Sequence, residues 1–487
     1  MPGFARRASG CTLLILVALA VGGPSIRARA ATFDDPALRL RTTSLPNGLT
    51  VLTLVDHSTP VVSLQMWVKV GSRDETRYTG LAHLFEHMMF KGSRNVGPEE
   101  HARILESRGG RVNAFTSNDE TVYHEDVTPE NLRLAIELEA ERVANLDISE
   151  ATLASEREVV LEERRLRTED NPEGRLFEAL LATTFTAHPY RWPVIGWRSD
   201  VEAVDVEASR RFFKTYYSPN NIVLVVVGDF DEAEALRDIE RAFGDLEPAA
   251  EIPRNPTQEP AQNGERRSVV RFDVRSPTVA AAWHAPKAGH PDGPALDVAG
   301  QILSSGRSSR LYRRLVYQEQ QALSAQGGYW ELKDAGLFFA FASVRPGAST
   351  DRVEALLFEE VENLRSHEVS AEELAKAKKQ LEVDLVSGLA TTHALANRFG
   401  NDFVTFGRVR SIEEQLAALS AVTAADVQRV AQQYLGREQR TVVRLLPLTD
   451  DGAGPPGKAT GGKGAKGRKS PQGAPPAARA DASRSPE

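Results

Sequence analysis

Apolar and polar positions along the chain predict two runs of similar elements. Each run opens with two strand-like stretches and closes with an amphipathic helix followed by a β-branched strand. The predicted elements are strands 50–55 and 61–70, helix 206–217 and strand 222–227 in the first run, and strands 268–274 and 278–284, helix 424–434 and strand 441–446 in the second. Long amphipathic segments occupy the middle of each run, at 131–145 and 352–365. This repeated order predicts a duplicated α+β domain, with one sheet covered by helices in each half.

The beginning of the chain differs from the rest. Arg6 and Arg7 form a basic start, an apolar run follows at 12–21, and residues 28–30 read Ala-Arg-Ala. This order is typical of a cleaved secretory signal, and the apolar run is short for a membrane span. We therefore expect an exported protein, periplasmic in the first instance. The alternatives are a secreted chain, or an anchored one if the signal stays uncleaved.

Two further stretches differ in composition. Residues 247–267 hold four prolines and no apolar periodicity, which predicts a linker between the halves. Residues 450–487 are rich in Gly, Pro, Ala and Lys and lack apolar runs, which predicts a disordered tail. The predicted organisation is a signal peptide at 1–30, an N-terminal domain at 31–246, the linker, a C-terminal domain at 268–449 and the tail.

Composition narrows the function classes and the kinds of site. The chain has 487 residues and a net charge of −8, and its Lys and Arg residues are interleaved with Asp and Glu. That pattern argues against a nucleic-acid-binding surface. The single cysteine, Cys11, lies within the predicted signal. A mature chain without cysteine forms no disulfide and must hold any metal with histidines and carboxylates.

A helix predicted at 81–90 carries a histidine pair. Thr79 and the glycine after it are placed to cap the helix start. His83 and His87 are four residues apart, so both imidazoles project from one helical face and can reach a single ion. Glu86 lies close to the same face, where it can accept a proton from an attacking water. This His-x-x-Glu-His order is typical of one class of zinc peptidases, and the alternative is an amphipathic helix with incidental histidines.

A third ligand is expected from another element. Residues 155–164 form a strongly helical, charged segment in which Glu156 and Glu163 are seven apart and therefore share a face. Either carboxylate could coordinate a metal, with the other holding a ligand from behind. Taken alone, the segment is typical of a solvated helix face.

The two motifs together closely resemble those of the pitrilysin/insulinase family of zinc metallopeptidases, and most of all its bacterial branch related to the mitochondrial processing peptidase. The second glutamate follows the histidine pair by 76 positions, in a Glu-Arg-x-Val-Val-x-x-Glu context. The resemblance implies that His83, His87 and Glu163 bind one Zn²⁺ per chain. It also implies that Glu86 is the catalytic base and that Glu156 supports the site.

The resemblance covers about residues 40–448 and extends the expected fold. That fold is α+β, with two homologous halves, each an antiparallel-rich sheet covered by helices, joined by a linker into a clamshell. It also implies a substrate-binding strand, on which we place Asn113 and Ala114. An edge strand binds an extended peptide through main-chain hydrogen bonds.

The second half departs from the first. Where the histidine motif should recur, residues 295–303 contain no histidine pair, so this half is similar to the inactive half of the family. Phe338 stands where relatives are expected to carry an arginine that reaches the substrate. This difference predicts a homologous partner subunit, in a homodimer or a heterodimer, that completes the site.

Three functions are compatible with these observations. The first is a zinc endopeptidase acting on unfolded segments or short peptides. The second is a non-catalytic structural or partner subunit of a heteromeric peptidase complex, which would not require the intact metal set. The third is a zinc-binding chaperone or transporter component, which would not require Glu86. The complete motif favours the endopeptidase.

Overall fold

Two sheets form the framework of the molecule. The structure, a computed structural model, describes residues 35–448. The strands are β1 (Arg41–Ser44), β2 (Thr50–Val55), β3 (Val62–Val68), β4 (Arg111–Thr116), β5 (Thr121–Val127), β6 (Ile222–Gly228), β7 (Arg266–Phe272), β8 (Thr278–Ala285), β9 (Ala322–Trp330), β10 (Gly336–Val344) and β11 (Arg440–Pro447). The first sheet has the order β1-β2-β6-β3-β5-β4, and the second has the order β7-β11-β8-β10-β9.

Helices connect and cover these strands. They are α1 (Leu81–Met88), α2 (Glu100–Glu106), α3 (Leu132–Asn145), α4 (Glu150–Arg164), α5 (Pro172–Thr184), α6 (Arg198–Ala203), α7 (Val206–Tyr216), α8 (Glu232–Phe243), α9 (Gly293–Ser304), α10 (Thr350–Ser366), α11 (Ala371–Ser387), α12 (Thr392–Phe406), α13 (Ile412–Ala421) and α14 (Ala424–Tyr434). No helix within residues 35–448 combines the length and apolar character needed to cross a membrane.

The two sheets have the same connectivity. Strands β2-β6-β3-β5-β4 of the first sheet correspond in order to β7-β11-β8-β10-β9 of the second, and β1 is an additional edge strand. One pair is parallel in each sheet, β2 with β6 and β7 with β11, and the remaining pairs are antiparallel. The expected α+β fold of two homologous halves is therefore confirmed.

Each half contributes one helix to the sheet of the other half. From the first half, α5 packs on β7, β8 and β11, while α12 of the second half packs on β3 and β6. Leu180 of α5 lies in one of the resulting cores, and Phe399 of α12 lies in the other. Gly400 lies flush against the Trp67 ring, where a Cβ atom would come within 2.1 Å of the indole. Both faces of the central strands are thus covered, which explains their almost uninterrupted apolar sequence.

The predicted linker is held by hydrogen bonds to the first half. Arg254 donates to the Lys69 carbonyl at 2.5 Å, and the Glu259 carboxylate accepts from three backbone N–H groups of residues 186–188. Strand β7 begins at Arg266, two residues before the strand predicted at 268–274. The predicted signal peptide and tail lie outside the described residues, and the domain boundaries stay predictions.

The expectation for Phe338 as a position that faces substrate is wrong. Its side chain is 0% exposed and packs in the core of the second half, with its ring centroid 6.3 Å from that of Trp283. An arginine at this position would bury its charge among apolar side chains. Phe338 is therefore explained by packing, and its identity gives no support for an incomplete site.

Candidate metal centre

The start of α1 is held by a buried carboxylate. Glu75 accepts hydrogen bonds from the backbone N–H groups of Gly80 and Ala82, both at 2.8 Å, and so satisfies donors that a helix start leaves free. Gly80 has a φ of 89°, which favours glycine. The prediction that Thr79 caps the helix is wrong, because its hydroxyl donates to Asp200 at 2.8 Å. The helix also ends at Met88 rather than at residue 90.

One face of α1 packs in the core and leaves the motif on the opposite side. Phe85 stacks on Phe212 and Phe213 of α7, with ring centroids 5.5 Å apart in both pairs. The imidazoles of His83 and His87 lie together on the other side, with centroids 4.9 Å apart. The apolar spacing along α1 therefore fixes the direction in which both histidines point.

The third donor comes from α4, which packs against α1. Glu163 Oε2 lies 3.1 Å from His87 Nε2 and 3.7 Å from His83 Nε2. Ligand atoms around a tetrahedral zinc at its usual bond lengths are separated by about 3.3–3.6 Å. Two imidazoles and one carboxylate are a donor set that zinc prefers, and these two separations lie within about 0.2 Å of this range, so the residues present fit the ion.

Glu86 lies beside this cluster and is tied to a strand of the first sheet. Its Oε2 accepts a hydrogen bond from the Thr116 hydroxyl of β4 at 2.7 Å. Thr116 was not singled out from the sequence, although it lies two residues after Ala114 and so shares its face of the strand. The contact fixes the Glu86 carboxylate between the metal cluster and β4.

Glu156 lies next to His87, on the side of the ring that faces away from Glu163. It is buried, with its Oε2 at 3.8 Å from His87 Nδ1 and its Oε1 at 3.2 Å from Lys91 Nζ. Glu163 and not Glu156 therefore faces the nitrogens that converge on the open position. Lys91, which neutralises Glu156, was missed by sequence reasoning because nothing local marks it as a partner.

The predicted substrate strand, β4, is an edge strand of the first sheet. The backbone N–H of Ala114 donates to the side-chain Oδ1 of Asn113 at 2.9 Å, and the Asn113 side chain is exposed. An incoming strand could replace that bond.

Burial and neighbouring charges shift the pKa values of the side chains in the cluster. Burial and the neighbouring His87 lower the pKa of His83 to about 4, so this imidazole is neutral near pH 7. Burial opposes ionisation of Glu163, but its bond to His87 and the imidazole of His83, which is protonated in acid, lower the pKa of Glu163 to about 2. Burial likewise disfavours charged His87, yet contact with Glu163 raises its pKa. Burial raises the pKa of Glu86, partly offset by the bond from Thr116.

Two other histidines lie elsewhere. His124 alternates with Tyr123 along β5 and therefore lies on the opposite face of the strand, with its ring centroid 4.7 Å from that of His393. His101, given no role from the sequence, is buried with Glu125 and Glu139 in a second metal-like group. Arg142 already pairs with both of these carboxylates, so a cation of the protein occupies that group.

Comparisons with known proteins identify the family of this chain. The family model described as "Insulinase (Peptidase family M16)" matches residues 50–197, and the one described as "Peptidase M16 inactive domain" matches residues 203–381. The zinc protease PqqE of Helicobacter pylori is 31% identical over 447 residues, which cover 91% of this chain and 99% of that protein. A probable mitochondrial-processing peptidase subunit beta of Arabidopsis thaliana is 28% identical, covering 84% of this chain and 79% of the plant protein. The crystal structure of a protease from Helicobacter pylori matches with a TM-score of 0.81 at 31% identity, over 84% of this chain and 99% of that one. The chain therefore belongs to the insulinase family of peptidases, family M16.

Proposed function

We propose that this chain is a zinc-dependent endopeptidase that hydrolyses peptide bonds in unfolded or short peptides. The observation that carries the proposal is the convergence of His83, His87 and Glu163 beside Glu86, next to the open edge of β4. A bound zinc ion would supply Lewis acidity and make water nucleophilic near neutral pH. Relatives named as zinc proteases support the same chemistry.

The chain's own residues would bind the peptide and move the proton. An extended peptide would pair with β4, with one of its carbonyls accepting from the Ala114 N–H after the Asn113 side chain turns away. Glu86 would accept a proton from the attacking water and donate it to the leaving amine nitrogen. Thr116, donating to Glu86, holds the carboxylate oriented between water and strand.

The alternative function is that of a non-catalytic subunit in a heteromeric peptidase complex. Such a subunit needs the fold but neither the ligand set nor the proton acceptor. Retention of all four residues in one place favours catalysis. We also propose that the chain is exported, most simply to the periplasm, and that a homologous chain completes a closed substrate chamber as a homodimer or heterodimer.

Metal content and peptide cleavage test this function directly. The purified mature chain should contain about one zinc per chain by elemental analysis, since the second half has no equivalent ligand set among its described residues. It should cleave a long unfolded peptide, lose activity with a chelator and regain it with zinc. Two tightly bound ions per chain would contradict the single-site assignment. A fully zinc-loaded chain without cleavage, alone or with a homologous partner, would favour the structural subunit.

A further inference from the structure

An arginine that the proposed function leaves without a role lies against the third ligand. Arg167 Nη1 lies 2.6 Å from Glu163 Oε1, while the other oxygen, Oε2, faces the two histidines. The two carboxylate oxygens thus have different partners. A carboxylate can bind a metal through one oxygen or both, and the pair with Arg167 leaves only one free.

The backbone that carries Arg167 is fixed although its side chain is 65% exposed. Residues 165–169 form a π turn directly after α4, closed by the N–H of Asp170 donating to the Arg165 carbonyl at 2.7 Å. A Cβ atom on Gly174 of α5 would come within 2.1 Å of the Arg167 carbonyl oxygen, so α5 lies flush against this turn. Such π turns occur frequently at functional sites.

We propose that Arg167 is a positioning residue that holds Glu163 as a metal ligand through a single oxygen. This inference rests on the proposed zinc site and deepens it. A solvated ion pair between residues four apart on a helix is the competing explanation, and such pairs contribute little to stability. Repulsion between the guanidinium and a divalent cation is a further effect, and it would make Arg167 weaken metal binding. Positioning of Glu163 by Arg167 would instead strengthen metal binding, so the measured metal affinity distinguishes positioning from repulsion.

Zinc affinity of the full chain, measured by competition with a chromophoric chelator, is the first test. Arg167→Gln should bind zinc about 10-fold more weakly, the lower end of the effect of residues that orient a ligand. Arg167→Lys, which keeps the charge and one donor, should lie between this variant and the parent. Affinity in Arg167→Gln equal to or higher than in the parent would overturn the proposal.

Arg165→Gln is the matched control. Arg165 lies on the same π turn and pairs with Glu162, with Nη2 to Oε1 at 2.6 Å, and with Asp170, not with Glu163. The Arg165→Gln substitution removes the same charge as Arg167→Gln, but the zinc affinity of this variant should equal that of the parent. An equal loss in both variants would indicate a general effect of charge or of the turn and would refute the specific role of Arg167.

Cobalt substitution reports the coordination itself. Co²⁺ with four ligands absorbs visible light more strongly than Co²⁺ with five or six. Freed from Arg167, Glu163 should bind through both oxygens, so Arg167→Gln loaded with Co²⁺ should absorb more weakly than the parent, and Arg165→Gln should not. An unchanged spectrum would overturn the single-oxygen assignment. Both tests measure metal binding, so a chain that held zinc but cleaved no peptide would refute the proposed function and not the role of Arg167.

Discussion

The two halves share their connectivity but not the contents of the cleft between corresponding helices. In the first half, α1 and α4 present His83, His87 and Glu163 towards one point. In the second half, α9 follows β8 as α1 follows β3, and α11 follows α10 as α4 follows α3. There Arg310 binds Glu373 through two hydrogen bonds of 2.9 Å, and Lys376 donates to a serine. In the first cleft, metal-binding side chains face one common point. In the second cleft, the carboxylate is paired with a cationic side chain of the chain itself. The same fold can therefore carry a metal site in one half and an ion pair in the other.

The largest effect is expected from replacing Glu86, the proposed proton acceptor of the first half. Glu86→Gln should keep zinc and lower kcat by about 10²–10⁴-fold, because an amide cannot accept the proton of the attacking water. Lys376→Gln, in the corresponding cleft of the second half, should leave kcat unchanged. Peptide cleavage assays at equal zinc content measure both. Comparable losses in the two variants would mean that the halves do not differ in chemistry as the cleft comparison states.

The next largest effects are expected from substitutions in α5 and α12, the helices that pack on the sheet of the other half. These substitutions test whether the two halves unfold independently. Phe399→Ala should cost about 3–5 kcal/mol of unfolding free energy and Leu180→Ala about 2–5 kcal/mol. Because each helix lies on the sheet of the other half, both variants should shift one cooperative transition. Urea unfolding followed by circular dichroism and by tryptophan fluorescence should give coincident curves. Separate transitions, with only one moved by Leu180→Ala, would show two independently stable domains.

A smaller effect should separate two glutamates on one helix. Glu163→Gln removes the proposed metal ligand, whereas Glu156→Gln removes the carboxylate next to His87 Nδ1 and should weaken zinc binding by about 10–100-fold. We expect the greater loss from Glu163→Gln, because an amide oxygen carries no charge to offset that of the ion. Zinc titration of both variants decides the order. The reverse order would exchange the roles of ligand and support.

The smallest effect concerns a contact between loops of the two halves. Asp334, after β9, pairs with Arg73 of the first half at 2.7 Å. Burial opposes its ionisation, but His188 and Arg73 together lower its pKa. A lowered pKa means that the pair contributes stability above about pH 4, lost as pH falls through the folded pKa. Because Asp334 is partly exposed, Asp334→Asn should cost at most about 1 kcal/mol at pH 7 and less in acid.

Acid unfolding of Asp334→Asn and of Asp351→Asn checks this contact. Asp351 pairs with Arg444 within the second half, so its loss removes an equal charge without touching the first half. If the two variants lost the same stability with the same pH dependence, the contact between the halves would have no special contribution.

Much of the fold and of the site followed from local patterns. The predicted helix at 424–434 and the strand at 50–55 coincide with α14 and β2, because apolar periodicity directly reflects which face is buried. The histidine pair and its helix were equally local, since four-residue spacing alone places both rings on one face. The predicted role of Thr79 failed because its hydroxyl donates to Asp200, which is distant in the sequence, while Glu75 accepts from the N–H groups at the helix start.

The sequence by itself determined the two α+β halves, the metal-binding residue types and the asymmetry between the halves, since each depends on short-range spacing. Only the tertiary structure decided that Glu163 rather than Glu156 faces the histidines, that Thr116 orients Glu86, and that α5 and α12 exchange sheets. Periodicity shows that a helix has an apolar face, but it does not specify the surface that covers it. Both sheets offer α5 an apolar face, and the choice between them depends on long-range packing that no local pattern records.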